Sequence, residues 1–143
     1  MKRNSLVIIF MLASILAFAG CAHLATAPAK GSEEALRQKV VMEWEAKVRK
    51  DWGVVYDLAV DAYKEKVDRN ALIRYANVNV QEFSIKEIKI TEPGRKALAV
   101  VDYRINQMGF DFKITSKEEW LWENGGWRLN LTPSLRLPFG EKK

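Results

Sequence analysis

The chain has 143 residues, of which 23 are basic and 18 acidic, with one cysteine and one histidine. Residues 1–20 contain Lys2, Arg3 and no acid, so the remaining 123 residues carry 21 basic and 18 acidic side chains and a charge of +3. That length makes one modest domain rather than a multidomain enzyme. A single cysteine excludes an internal disulfide, and one histidine without a second histidine or cysteine nearby argues against the usual zinc sites. Acids are interspersed with bases between residues 33 and 123, unlike the clustered basic surface of a nucleic-acid binder, so no nucleic-acid partner is expected.

At the amino terminus, Lys2 and Arg3 precede an apolar run over residues 6–19, followed by Gly20 and Cys21. A positive start, an apolar stretch over residues 6–16 and small residues before a cleavage point form an export signal. The 14 apolar residues fall short of the ~20 needed to span a bilayer. Phe18-Ala19-Gly20-Cys21 resembles the lipobox of bacterial lipoproteins, departing from it at Phe18, where an aliphatic residue is usual. The resemblance implies removal of residues 1–20, a diacylglyceryl group on the Cys21 sulfur and an N-acyl chain on the new amino terminus. With Ala22 rather than Asp next, it implies the periplasmic face of the outer membrane. Two or three acyl chains make such an anchor stable. No cofactor besides this covalent lipid is expected.

Residues 21–31, with Pro28 and Gly31, read as a tether. His23 lies in it without partner ligands and is expected to be solvated. Ser32 is a candidate helix N-cap, with Glu33 and Glu34 where the helix dipole favours acids. Leu36, Val40, Trp44 and Val48, broadened by Val41, then form an apolar helical stripe, which leaves Arg37, Lys39, Glu43, Glu45, Lys47 and Arg49 as predicted solvent-facing positions. Gly53 is predicted to end or bend this helix. Residues 54–66 continue at helical spacing through Val55, Leu58, Ala59 and Ala62. Asp68 is placed to cap a third, short helix over residues 69–76.

After Asn77 the period becomes alternating. In residues 80–90, Phe83 and Ile85 lie on the opposite parity from Ile88 and Ile90, which predicts a bulge near Lys86-Glu87. Glu92-Pro93-Gly94-Arg95 carries a type II turn signature. Residues 97–105 alternate Ala97, Ala99, Val101, Tyr103 and Ile105 against a polar face holding Asp102 and Arg104. A turn at Gln107-Met108-Gly109 leads to a long strand in which Phe110, Phe112, Ile114, Ser116, Glu118, Trp120 and Trp122 share one parity, with a bend allowed over residues 116–119. Asn124-Gly125-Gly126 is a hairpin turn, and Trp127, Leu129 and Leu131 alternate beyond it. Pro133 and Pro138 keep residues 132–143 out of a central strand and predict a tail that is loose or packed over an edge.

Helices followed by strands predict an α+β domain over residues 32–131, with the amino-terminal helices packed on a curved antiparallel four-stranded meander. Asp51-Trp52-Gly53, the following Val54-Val55-Tyr56-Asp57-Leu58 and the closing Trp120-Leu121-Trp122-Glu123-Asn124-Gly125-Gly126-Trp127-Arg128-Leu129 resemble the nuclear transport factor 2-like superfamily. The resemblance implies a cone-like domain, often with an apolar pocket at its open end, and activities that range from isomerases to purely binding modules.

No catalytic or metal set emerges from the residues. Asp102 and Asp111 fall on the polar face, so the tyrosine and aspartate pattern of ketosteroid isomerase, a catalytic relative in that superfamily, carries over to no residue here. Asp57, Asp61 and Glu65 form a helical stripe without a calcium-loop glycine pattern. No serine has a Gly-x-Ser-x-Gly turn or a histidine partner. The aromatic residues Trp52, Tyr56, Tyr103 and Trp120 are the pocket candidates, since indole and phenol groups both orient an apolar ligand and fill cores. The leading expectation is a lipid-anchored envelope protein that binds a small apolar ligand or an envelope protein without catalysis. A periplasmic isomerase or lyase, and a scaffold subunit pairing with itself as a homodimer or within an envelope complex, are the alternatives.

Overall fold

In the computed structural model the described residues are 31–131. The signal, Cys21, His23 and the residue 132–143 tail lie outside them. Among the described residues no helix is long and apolar enough to cross a membrane. Four helices precede four strands: α1 (Glu33–Arg49), α2 (Trp52–Leu58), α3 (Asp61–Lys66), α4 (Arg69–Tyr75), β1 (Val80–Glu92), β2 (Lys96–Gln107), β3 (Phe110–Glu123) and β4 (Gly126–Leu129). The strands form one antiparallel sheet in the order β1-β2-β3-β4, which is the expected α+β meander.

Helix α1 begins as its sequence dictates. The Ser32 side chain accepts from the Ala35 N–H, and Glu33 and Glu34 occupy the first turn. Its end differs from expectation. The break falls at Lys50, which adopts a left-handed conformation (φ 61°), and Asp51 restarts the helix by accepting from the Val54 N–H. Gly53 sits inside α2, because a capping carboxylate two residues earlier sets the boundary first. The predicted single helix over residues 54–66 is also divided. Ala59 and Val60 are extended, with the Val60 N–H donating to the Leu129 carbonyl and Ala59 bridging Leu129 in parallel. A backbone bond to β4 has displaced the helical one, a tertiary event that helical spacing does not encode. Asp68 caps α4 as expected, accepting from the Asn70 and Ala71 N–H groups.

The strand register follows the parities read from the sequence. A register shift between Ile85 and Glu87 returns both Phe83/Ile85 and Ile88/Ile90 to one face, opposite Tyr103/Val101 and Ala99/Ala97. Gly94 (φ 66°) closes the β1–β2 turn, with the Arg95 N–H donating to the Glu92 carbonyl. Asn124 and Gly125 both take positive φ in the last hairpin. Strand β3 passes through residues 116–119 in unbroken register with β2, so no bulge interrupts it there and Glu118 stays on the face shared with Trp120.

Helix α1 lies on that face. Leu36, Val40, Trp44, Val55, Ala97, Ala99, Val101, Trp120, Trp127 and Leu129 form the main buried cluster. Each fully buried aliphatic side chain contributes about 1.5–3 kcal/mol. Tyr56, Ala59, Val60, Tyr63, Val67 and Leu72 form a second, smaller cluster under α2, α3 and α4.

Candidate functional site

A buried charged cluster lies between α1 and β3. Glu43 and Lys47, one helical turn apart, share a face, and Glu118 meets them from the row of the sheet that includes Ala99. Glu43 is fully buried and Glu118 nearly so. The Lys47 ammonium contacts Glu43 Oε1 and lies 3.1 Å from Glu118 Oε1. The Trp44 indole N–H donates to Glu118 Oε2 at 3.1 Å, and the Ser116 hydroxyl lies 3.5 Å from Glu118 Oε1. Lys47 Nζ also sits 3.8 Å from the centroid of the Trp44 ring, within cation–π range. Apart from the Lys47 contact, the Glu43 carboxyl oxygens have no hydrogen-bond partner among the described residues.

Burial dominates the electrostatics. It pushes the Glu43 carboxyl up to about 8, against the pull of Lys47 and reinforced by the neighbouring Glu118, so Glu43 holds a proton at neutral pH. Burial also pulls the Lys47 ammonium down, but the two carboxyl groups outweigh it and the net shift is upward. The arrangement can hold one proton on a carboxyl beside a charged lysine. Glu43 and Lys47 were expected to face solvent because both are charged. The available clues were Glu118 sharing parity with Trp120, and Glu43 falling three residues after Val40 and seven after Leu36.

The four aromatic candidates do not gather around one space. Trp120 is fully buried in the main cluster, against which Trp52 and Tyr103 pack, whereas Tyr56 belongs to the second cluster. The Tyr56 hydroxyl donates to the Val67 carbonyl at 2.9 Å and lies 3.3 Å from that of Lys64. The Tyr103 ring packs on Trp44 at 4.7 Å between centroids. The Trp120 indole N–H is buried without a partner among the described residues. A depression of about 280 Å³ is lined by Glu92, Arg95, Lys96, Leu121, Trp122 and Glu123, at the far end of the sheet from the β2–β3 turn, and includes none of the four.

The acidic candidates are used locally. Asp57 pairs with Arg69, and Asp61 accepts from the Asn124 amide. The break at Ala59 and Val60 places them on separate helices. Among the described residues no group of three or more metal-ligating side chains forms. On the outer face Asp102 accepts from the Thr115 hydroxyl at 2.6 Å. That bond, with Lys113 and Lys86 nearby, holds its carboxyl below the usual carboxylate range.

The helix-side face of the sheet is covered at one end only. Along β3, Trp120 is buried, whereas Ile114, Phe112 and Phe110 become progressively exposed, at 36%, 47% and 68%. Met108 at the β2–β3 turn is 92% exposed. Ile114 and Phe112 stand beside Tyr103 and Ile105 of β2, so they belong to the same face as the core. An uncovered apolar stripe of this kind marks an interaction surface more often than isolated exposed residues do.

No family model matches the chain, and no curated protein matches it. Among solved structures, it is similar to a SEC-C motif containing protein from Rhodopseudomonas palustris, at 12% identity and a TM-score of 0.58, over 70% of this chain and 78% of that one. It is also similar to a SEC-C motif containing protein from Psychrobacter arcticus, at 11% identity and a TM-score of 0.58, over 71% of this chain and 61% of that one. At such identities the likeness is one of fold.

Proposed function

We propose that the protein is a lipid-anchored, non-catalytic binding module of the bacterial cell envelope, held through Cys21 at the periplasmic face of the outer membrane. Its domain, read as nuclear transport factor 2-like, presents the uncovered half of its sheet to an apolar surface of an envelope protein. The observation that carries this reading is the stripe of Ile114, Phe112, Phe110 and Met108. Its openness suits a protein surface better than the enclosure a small ligand requires. The lipobox-like Phe18-Ala19-Gly20-Cys21 supports the anchoring.

A photo-cross-linking side chain at Phe112 in the full chain, expressed in cells, is expected to give one discrete protein adduct. Introducing Phe110→Ser and Ile114→Ser should abolish it. Absence of an adduct overturns the docking reading, and one-to-one binding of an apolar fluorescent probe would put a small ligand in the partner's place. An unmodified mature Cys21, found by mass spectrometry, overturns the anchoring.

A second reading, an isomerase or lyase, is favoured by the proton that burial keeps on Glu43. Against it, the Glu43 carboxyl is fully buried and faces Lys47 rather than an open space. This buried group has the geometry of a structural latch.

A further inference from the structure

Strand β4 pairs with only one end of β3, from Glu123/Gly126 to Trp120/Leu129. The Asn130 N–H still reaches the Glu119 carbonyl, but the Leu131 N–H donates to the Leu129 carbonyl and turns the chain there. Beyond Glu119, residues 110–118 of β3 pair with no strand on that side among the described residues. Residues 110–115 are exposed on both faces of the sheet. The Trp122 N–H donates to the Arg95 carbonyl on the β2 side, whereas the Glu119 carbonyl accepts on the other. The alternation of an antiparallel ladder therefore aims the N–H and C=O groups of Asp111, Lys113 and Thr115 at the free edge. The outer edge of β1 is unpaired among the described residues too, but register shifts interrupt it between Val80 and Glu82, Ile85 and Glu87, and Ile90 and Glu92. Such irregularities blunt an edge against strand addition. The free part of β3 holds unbroken register with β2.

A second copy of the chain fits this edge in one register. Antiparallel pairing of β3 with itself, about a two-fold axis normal to the sheet, keeps each side chain on its own face and centres the ladder on a residue. Centred on Asp111 or Lys113, the ladder sets that residue against its own like charge, which is destabilising. Centred on Ile114, it sets Met108 of the second copy opposite Trp120, where Leu129 already stands. Centred on Phe110, it leaves Asp111 facing Gly109. Centred on Phe112, it sets Asp111 opposite Lys113 and Lys113 opposite Asp111, with Phe112 against Phe112 and Ile114 against Phe110. Met108 of the second copy then falls opposite Ser116, short of Asn130. Within its own chain Asp111 accepts from the Asn106 amide at 2.7 Å, and Lys113 lies 3.7 Å from Asp102 with its side chain 78% exposed.

We propose that two copies of the chain pair edge to edge through residues 110–114 of β3, antiparallel and centred on Phe112, joining their sheets into one. The charge complementarity of Asp111 and Lys113 selects the register. Both apolar stripes then lie side by side on one face of the joined sheet. The pairing uses the strand edge and leaves that face open, so it stands independently of what docks there.

The test uses the purified full chain carrying Cys21→Ser, so that only engineered thiols remain. Phe112→Cys places its thiols at a non-hydrogen-bonded pair, where Cα atoms lie about 4.5 Å apart, within disulfide reach. In the same register the two residues at position 110 stand about 14 Å apart, beyond that reach. Mild oxidation is expected to link two copies at least about tenfold faster through Phe112→Cys than through Phe110→Cys, although Phe110 is the more exposed. Equal rates, or a faster reaction at position 110, overturn the proposal. Phe110→Cys and Ile114→Cys chains, mixed, should link at least about tenfold faster than either alone; no gain on mixing overturns it as well. Asp111→Lys and Lys113→Asp, each added to Phe112→Cys, set like charges opposite one another and should each slow the linkage about tenfold. Mixing these two variants restores opposite charges at both positions and should restore the rate. A mixture no faster than its separate components assigns the edge to something other than a second copy in this register.

Discussion

The two ends of the helix-side sheet face follow the same alternation yet have different environments. At one end Trp120, Ala97 and Ala99 lie beneath α1, with Glu118 paired to Trp44 and Lys47. At the other, Ile114, Phe112 and Phe110 continue the same parity into solvent. Amphipathic spacing therefore fixes which way a side chain points, while the length and position of the helix fix whether anything meets it. Apolar residues at the covered end work for stability, and those at the open end are left exposed, as the proposed docking surface requires.

Three substitutions sharpen this contrast. Trp120→Ala, at the covered end, is expected to lower unfolding free energy by about 3–5 kcal/mol in urea titration, as large-to-small changes in filled cores do. A much smaller loss would mean that α1 does not seal this end. Glu118→Ala should cost about 3 kcal/mol, because it strips a buried indole N–H of its acceptor and a buried lysine of one of its two carboxyl partners. Phe110→Ser, at the open end, should alter stability by less than about 1 kcal/mol while weakening the proposed cross-link from position 112. A loss comparable to that of Trp120→Ala would show that the open end is packed.

The buried latch adds a pH dependence between these extremes. Glu43 keeps its proton in the folded chain up to about 8, against 4.5 for its ordinary value. Folded chains therefore bind the proton more tightly than unfolded ones, and this contribution is fully present below about 4.5 and declines as pH rises toward 8. Glu43→Gln, which mimics the protonated form, should flatten that decline and melt above the unaltered protein at pH 9, with little difference near pH 4. Parallel melting curves for the two proteins across that range would refute a proton held by Glu43.

Much of the architecture was legible before folding. Ser32 and Asp68 are short polar side chains placed to cap helices, Gly94 and Asn124-Gly125 permit the turns that need positive φ, and the parity change between Ile85 and Ile88 announced its bulge. These features are local, and local sterics and hydrogen bonding decide them. The division of α2 from α3 was not legible, because Val60 gives its N–H to a strand residue nearly 70 positions later. Nor was the latch, whose charged residues look solvated until the opposing element supplies partners.

The sequence by itself determined the Ser32 and Asp68 caps, the turns, the meander and the two faces of the sheet, since each depends on neighbours within a few residues. It also holds the lipobox-like Phe18-Ala19-Gly20-Cys21 on which the proposed anchoring rests. Only the tertiary structure decided that Glu43, Lys47 and Glu118 meet away from water and that α1 stops short of Phe110, Phe112 and Ile114. Burial is a property of what packs against a residue, and here those contacts join α1 to a strand some 70 residues away.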